Sequence, residues 1–409
     1  MDGAPLLTPP DADLGIRVAR IDRFDAFQRL RDDWQALEAR DPEGTVFLSW
    51  DWLAQGFREN PGQWMVIAIF AADRLIATFP LRTKVRWSKS RAEFQTELAA
   101  GGLFLWSEYT GFLCDPDWED VAMTVFAEAL QDLPWHDLTL RYEASARRAD
   151  LFLRAFPEDT FRTGFRDYHI NKGQTNNLLC PYVDLPDDYE TWLGEGPGKN
   201  TRQKIRRFTR RYLDSGTLRV EQSKGAMLKS DLAATLKLWM RKWAPVKGPE
   251  TAKRVAGNYM KILAAADRQG LLYLPVLRDG GRVIGGLGHI LDPLHKRVHF
   301  ILAGRDETVS GNHVGLLLHS QSIRWSIAQG YNVYDFCHGN EPYKYSFGSV
   351  DREVRYFSVR RRSGARHSML DPLNNAQALA RVLGFIENGR RQEAALGCRQ
   401  VLGQLQAEL

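Results

Sequence analysis

The sequence predicts an α/β (α+β) chain of two similar halves, each a mixed, mostly antiparallel sheet flanked by helices, with a helical tail behind them. Three observations carry this. The chain has 409 residues, more than one compact core normally organises. Its strand-like and helix-like stretches run through the same order twice. After the break at Asp371-Pro372 the pattern turns helical. A hydrophobic fraction of 44% and an aromatic fraction of 11% supply material for two packed cores.

Residues 1–15 read as a disordered leader, 16–177 as the first half, 178–365 as the second, and 366–409 as the tail. Phe24, Phe27, Leu30, Trp34 and Leu37 fall on one face of a helix. Ser49–Arg58 reads as a short second helix. Trp64–Phe70 and Leu75–Leu81 flank a turn and predict a hairpin. Strands are expected near Glu93–Ala99, Glu108–Leu113 and Asp137–Arg141, with an amphipathic helix at about Trp118–Leu130 between the last two. Residues 142–177 are mixed and polar and read as the crossover between halves.

In the second half, Leu185–Trp192 precedes a basic helix, Lys199–Leu213. Asp231–Trp243 and Ala252–Gln269 read as helices. Leu271–Arg278 and Arg282–Leu291 flank Asp279-Gly280-Gly281, again a hairpin. Lys296–Ala303 is a strand, Val314–Ala328 a helix, Asn332–Phe336 a strand and Arg355–Arg361 a last strand. Ala376–Leu409 is largely helical, and docking on the second half is the simplest expectation for it. Hairpin 66–81 matches 272–288, the strand near Tyr109 matches that near His299, helix 121–130 matches 315–328, and strand 136–142 matches 332–337. No long identity accompanies the match, so it is one of element order.

Composition excludes several classes. The net charge of +5 is mild and local, which does not argue for nucleic acid. Cys114, Cys180, Cys337 and Cys398 lie far apart without a CxxC pair, against a disulfide framework or a cysteine zinc site. Met1–Asp13 lacks the basic-then-apolar pattern of a signal peptide, and the longest apolar runs are strand-sized. A cytoplasmic setting is expected. His289, His295, His299, His313, His319 and His338 crowd one region, but there is no HExxH and no carboxylate at triad spacing. His289 and His299 read as a chance pair on adjacent strands, and no metal is expected. There is no GxSxG elbow and no Walker loop.

Three constellations can carry chemistry. Gly311, Asn312, His313, Val314, Gly315 and Leu316 follow a strand and open a helix. Small residues let the backbone approach a ligand, and the N–H groups and dipole of a helix start suit a pyrophosphate. An ordinary loop with Asn312 as N-cap competes with this reading. The second constellation runs from Tyr334 to Gly348. Acylating an amine or hydroxyl needs a base for the nucleophile's proton and a donor for the oxyanion. Asp335, His338 or Glu341 fits the first role, and Tyr343 or Lys344 the second. Each alone can equally cap a turn, pack or pair at the surface. Clustered at a strand end, they point to a site. Third, Lys199, Arg202, Lys204, Arg206, Arg207, Arg210 and Arg211 share one helix without an acid. They can hold phosphates of a nucleotide or RNA, or simply form a solvated face.

On these stretches the second half resembles the cellulose-biosynthesis-associated acetyltransferases of the GNAT superfamily. The resemblance rests on Lys199–Leu213 before Ser215-Gly216, on Leu271–Leu302, and on Gly311–Phe347 with Gly339-Asn340-Glu341-Pro342-Tyr343-Lys344 near its end. The first half resembles them more faintly through Val46-Phe47-Leu48-Ser49-Trp50 and Phe79-Pro80-Leu81-Arg82. Tyr334-Asp335-Phe336 and Tyr343–Gly348 are also similar to the closing motif of the Fem family, which moves amino acids from aminoacyl-tRNA to peptidoglycan precursors. Both resemblances imply tandem GNAT-like domains.

The resemblance implies an N- or O-acyltransferase with acetyl-CoA or a longer acyl-CoA as co-substrate and no metal. Strand Lys296–Ala303, with Leu302, would run beside the pantetheine arm, and 311–315 would hold the pyrophosphate. The acceptor would be a sugar, amino sugar, peptide or small-molecule amine. The superfamily's usual pattern places Arg or Gln before spaced glycines; here Asn312-His313 intervene, leaving Gly311 and Gly315. The first half has no Gly-containing helix start near Asp117–Val121 and is expected to be degenerate and to bind no CoA. Two alternatives stand. One is a Fem-like aminoacyl-tRNA-dependent transferase, favoured by the basic helix but lacking a long coiled-coil arm. The other is a non-catalytic scaffold in envelope polysaccharide synthesis.

Overall fold

The computed structural model describes residues 6–7, 15–309, 313–362, 364 and 368–407. It divides into two compact units, Met1–Asp167 with Val354–Leu409, and Tyr168–Glu353.

The first unit is one sheet in the order Leu6–Leu7, Ile16–Ile21, Trp64–Ala71, Arg74–Ser88, Glu93–Ala100, Asp137–Glu143, Arg355–Arg361, Phe161–Phe165. Neighbours are antiparallel except Glu93–Ala100 against Asp137–Glu143, which run parallel and are joined through helix Glu119–Gln131. Trp64–Ala71 reads as a continuous apolar run because both its faces are covered. Phe27, Trp34, Phe57 and Trp64 pack together in one core, and Ile67, Phe79, Phe112, Phe126 and Phe152 in another.

Four expectations are corrected here. The strand expected over Glu108–Leu113 is reduced to Leu113–Cys114, because Gly101–Leu105 curls into a short helix that ends at Trp106 in the left-handed region (φ 61°). The polar crossover expected over 142–177 contains helix Ala146–Arg154, N-capped by the Ser145 hydroxyl, and strand Phe161–Phe165. Its arginines disguise it: Arg148 is buried, with its charge met by Asp41. Strand Arg355–Arg361 does not close the second half. It inserts between Asp137–Glu143 and Phe161–Phe165, where Phe357 and Val359 join the first core. Finally, the tail docks on the first unit. Strand Arg74–Ser88 is long, and helices Asn375–Glu387 and Arg391–Ala407 cover Val85 and Phe94 with Ala378, Val382, Phe385 and Val401. The Gln400 amide bonds the Phe94 backbone in both directions, at 2.6 and 2.9 Å. Of the leader, Leu6–Leu7 pairs with Val18 and Ala19; residues 1–5 and 8–14 lie outside the described residues.

The second unit's sheet runs Leu218–Gln222, Pro275–Asp279, Arg282–Asp292, Arg297–Arg305, Val333–Asp335, Leu179–Asp184, Val350–Glu353. Again one pair is parallel, Arg297–Arg305 with Val333–Asp335, and again a helix, His313–Ala328, makes the crossover. Leu179–Asp184 and Leu218–Gln222 are not evident in the sequence, the first holding Pro181 and the second the charges Arg219 and Glu221. Helices Leu228–Lys247 and Pro249–Arg268 meet at Gly248, whose φ of 82° suits glycine. The first of them lies so close to the sheet that a Cβ on Gly304 would run into the Thr235 carbonyl. Among the described residues no helix is long and apolar enough to cross a membrane.

Candidate functional site

The site grows from the end of strand Val333–Asp335. Beyond Asp335 the chain turns through Cys337 (φ 51°) and Gly339 (φ 96°), while Asp335 Oδ1 accepts the Cys337 N–H at 2.7 Å. The loop stays tied to strand Leu179–Asp184: Phe336 N–H donates to the Pro181 carbonyl at 2.9 Å and Gly339 N–H to that of Leu179 at 2.8 Å. A short helix, Pro342–Tyr345, then swings Lys344 back beneath the loop. Lys344 is buried, and its Nζ donates to the carbonyls of Cys337 (3.3 Å), His338 (2.7 Å) and Gly339 (2.7 Å) and lies 3.0 Å from Glu341 Oε2. One ammonium thus satisfies three converging carbonyls and pairs a carboxylate. His338 Nδ1 lies 3.1 Å from Cys180 Sγ. Tyr343 is 43% exposed, with its ring 5.8 Å from that of His319. Asp335, His338, Glu341, Tyr343 and Lys344 therefore gather on one loop and its adjoining turn. Lys344 faces inward, while Tyr343 and Glu341 retain access to solvent.

Under the loop lie two histidine systems whose partners the sequence did not indicate. His299 sits opposite Asp335 in the parallel register. Its Nδ1 is 3.4 Å from Asp335 Oδ2 and its Nε2 is 4.0 Å from Asp292 Oδ2, all three side chains being buried. Burial pulls the His299 imidazolium down, but hydrogen bonds and charge from Asp292 and Asp335 outweigh it, and the net shift is upward. A raised histidine pKa stabilises the fold below the ordinary value of 6.5, and that contribution is lost as pH rises through the folded value. The wild-type melting temperature will therefore fall more steeply than that of His299→Gln as pH rises above about 6.5. Equal slopes in a thermal-melt series would refute the pairing.

The other system joins His289, Tyr334 and His319. Tyr334 Oη lies 2.8 Å from His289 Nε2 and 2.9 Å from His319 Nδ1, and His289 Nδ1 lies 3.3 Å from the Tyr273 carbonyl. Burial pushes His289 down to about 3 and His319 well below its usual value, so both are neutral. His289 and His299 do lie on paired strands, but each has its own partners. His299, Asp335 and Cys337 bring possible ligand atoms within 4.8 Å of one another. His289 takes no part in this cluster, so the expected histidine pair gains no third ligand; the His299, Asp335 and Cys337 set is itself of a kind that zinc accepts. The His299–Asp335 pair also balances its own charge without an ion.

On the donor side, Gly311 and Asn312 lie outside the described residues. His313 opens the helix and stacks on Tyr212 at 4.5 Å and 21°. Val314 packs on the strand at Gly285, and Leu316 lies against the core. Gly315 faces open space, with nothing within 4 Å of where a Cβ would stand. Leu302 is buried beside Gly288. The basic segment forms helix Lys199–Phe208 and continues as a wider turn, Thr209–Leu213. Ile205 points inward while Lys204, Arg206, Arg207, Arg210 and Arg211 are exposed. Burial, and after it the charge of Arg211, lowers the His313 pKa. Tyr212 and Arg211 thus bring the cationic segment to the first turn of helix His313–Ala328, whose N–H groups and dipole already favour anions.

A family described as an acetyltransferase (GNAT) domain matches residues 199–345, which hold the basic helix, the helix start at His313 and the Asp335–Lys344 loop. No curated protein sequence matches the chain. Among solved structures FemX is similar over 80% of this chain and 95% of that one, at 10% identity and a TM-score of 0.58. A tandem GNAT protein from the clavulanic acid biosynthesis pathway is similar over 86% and 99%, at 10% identity and 0.46. The C-terminal domain of a putative lysylphosphatidylglycerol synthetase from Agrobacterium fabrum is similar over 83% and 94%, at 11% identity and 0.45. Residues 199–345 of the second unit thus match an acetyltransferase (GNAT) domain, and the chain has the mixed α/β fold, two sheets flanked by helices with C-terminal helices behind them, that its sequence predicts.

Proposed function

We propose that the second unit transfers an acetyl or longer acyl group from acyl-CoA to an amine or hydroxyl of a small-molecule, sugar or peptide acceptor in the cytoplasm. The observation that carries this is the placement, within the GNAT-matched segment, of a cation-rimmed helix start and a carboxylate-bearing loop at either end of one crossover between two parallel strands. In this reading the N–H groups of the first helical turn, with Arg207, Arg210 and Arg211, balance the pyrophosphate. Strand Arg297–Arg305, Leu302 included, lies along the pantetheine arm. The bound donor supplies an activated thioester.

Glu341 or His338, the titratable groups on the accessible side of the loop, takes the proton of the attacking amine or hydroxyl. The Tyr343 hydroxyl donates to the oxyanion. The carbon–sulfur bond then breaks and the thiolate leaves to be protonated. Asp335 and Lys344 hold the loop in shape. Motif likeness alone points further, to acceptors of envelope polysaccharide synthesis and to a first unit that binds no CoA.

Calorimetric titration with acetyl-CoA and longer acyl-CoAs tests the donor. Gly315→Trp places an indole in open space at the helix start, so it will weaken binding by at least about tenfold, or 1.4 kcal/mol, without lowering the melting temperature. Saturable binding unaffected by the substitution would remove the donor from this helix. The exposed cations of 199–213 favour one second reading, an aminoacyl-tRNA donor. A salt-dependent tRNA shift lost on neutralising Arg206, Arg207 and Arg210, with no acyl-CoA binding, would select it. Binding of neither would select the scaffold.

A further inference from the structure

The first unit holds a cleft of about 400 Å³ that the reading above does not use. That volume falls in the range of small-molecule sites. The cleft lies along the parallel pair Glu93–Ala100 and Asp137–Glu143, and its lining includes Leu98, Ala99, Thr139, Leu103, Trp106 and Tyr356. Four cations line it: Arg82, Lys84, Arg141 and Arg166. The two acids of the lining are occupied by arginines outside it, Glu97 by Arg86 at 2.8 Å and Asp137 by Arg360 at 3.5 Å.

Two of the cations share one aromatic ring. The guanidiniums of Arg141 and Arg166 stand 5.3 and 5.7 Å from the centroid of the same Tyr356 ring, and that of Arg82 stands 5.5 Å from Phe104. Burial, and after it the neighbouring charge of Arg141, pushes Arg82 below the ordinary arginine value. Among the described residues neither Arg82 nor Lys84 belongs to an ion pair. Like charges brought together in a half-dry concavity repel, and an anion set among them converts that cost into attraction. Trp106, also in the lining, is 44% exposed with its backbone in the left-handed region (φ 61°), an aromatic face beside the cations.

We propose that this cleft binds a phosphate-bearing small molecule with at least two negative charges. Arg82, Lys84, Arg141 and Arg166 take the phosphate oxygens, and Trp106 with Leu103 packs against the remainder, as a sugar ring would. Four cations exceed what a single carboxylate needs, and planar guanidinium forks match phosphate oxygens in pairs. The site is independent of the acyl-donor reading of the second unit.

The test uses the full chain carrying Gly315→Trp, so that the helix start at His313 does not contribute. Inorganic pyrophosphate is titrated by calorimetry at low and moderate salt, with glucose 1-phosphate and citrate in parallel. One saturable, salt-sensitive pyrophosphate site is expected, weakened at least about tenfold by Arg82→Gln or Arg141→Gln. Trp106→Ala will weaken glucose 1-phosphate and leave pyrophosphate unchanged. Without ligand, Arg82→Gln will melt at or above the parent temperature, since it relieves repulsion; a purely structural arginine would instead lower it. Absence of saturable pyrophosphate binding, or binding indifferent to both arginine changes, overturns the proposal. Citrate binding as tightly as pyrophosphate overturns the phosphate assignment. None of these outcomes depends on whether acyl-CoA binds.

Discussion

Arg148→Met will destabilise the first unit by about 3–5 kcal/mol, the cost of stripping a buried ion pair of one partner. Arg148 is 1% exposed, and its guanidinium holds both Asp41 oxygens at 2.8 Å, Glu119 at 2.9 Å and the Phe112 carbonyl at 3.2 Å. Glu119 keeps Arg147 at 2.7 Å, but Asp41, with a fully buried side chain, loses its cation. Urea denaturation at neutral pH checks it, and Arg148→Met with Asp41→Asn will recover part of the loss. A deficit under about 1 kcal/mol would show that the guanidinium only fills space.

Lys344→Met will cost donor-dependent transfer about a hundredfold, because it releases the loop that carries Asp335, His338 and Glu341. The three carbonyls it serves converge on one point, and among the described residues no other cation donates to them. Charged hydrogen bonds of this kind contribute about 1.5–3 kcal/mol apiece, and partial relaxation leaves an expected loss of about 3 kcal/mol for the second unit. Amide exchange separates a clamp from a catalytic acid. A clamp predicts faster exchange at Gly339, whose N–H is fixed to Leu179, and at Cys337, fixed to Asp335. Unchanged exchange with lost activity would instead place the ammonium in the chemistry.

The gathering of Asp335, His338, Glu341, Tyr343 and Lys344 was legible because they are neighbours along the chain, so any compact turn brings them together. Which of them faces inward was not, because that depends on the Leu179–Asp184 strand, whose Pro181 hides it. His299 looked like a chance histidine because its partner Asp335 lies beyond a whole crossover helix. Asp292, closer in sequence, gave no periodic signal.

By itself the sequence determined the two hairpins, the crossover helices Glu119–Gln131 and His313–Ala328, the basic helix and the repeated order of elements. These are local patterns, set by apolar spacing within a turn or a strand. Only the tertiary structure decided that Arg355–Arg361 completes the first sheet, that the tail covers Val85 and Phe94, and that Arg148 and Lys344 are buried. Each of these depends on a partner distant in the chain. The choice of sheet edge or counter-charge is made by the desolvation and packing of the whole unit, which no local pattern encodes.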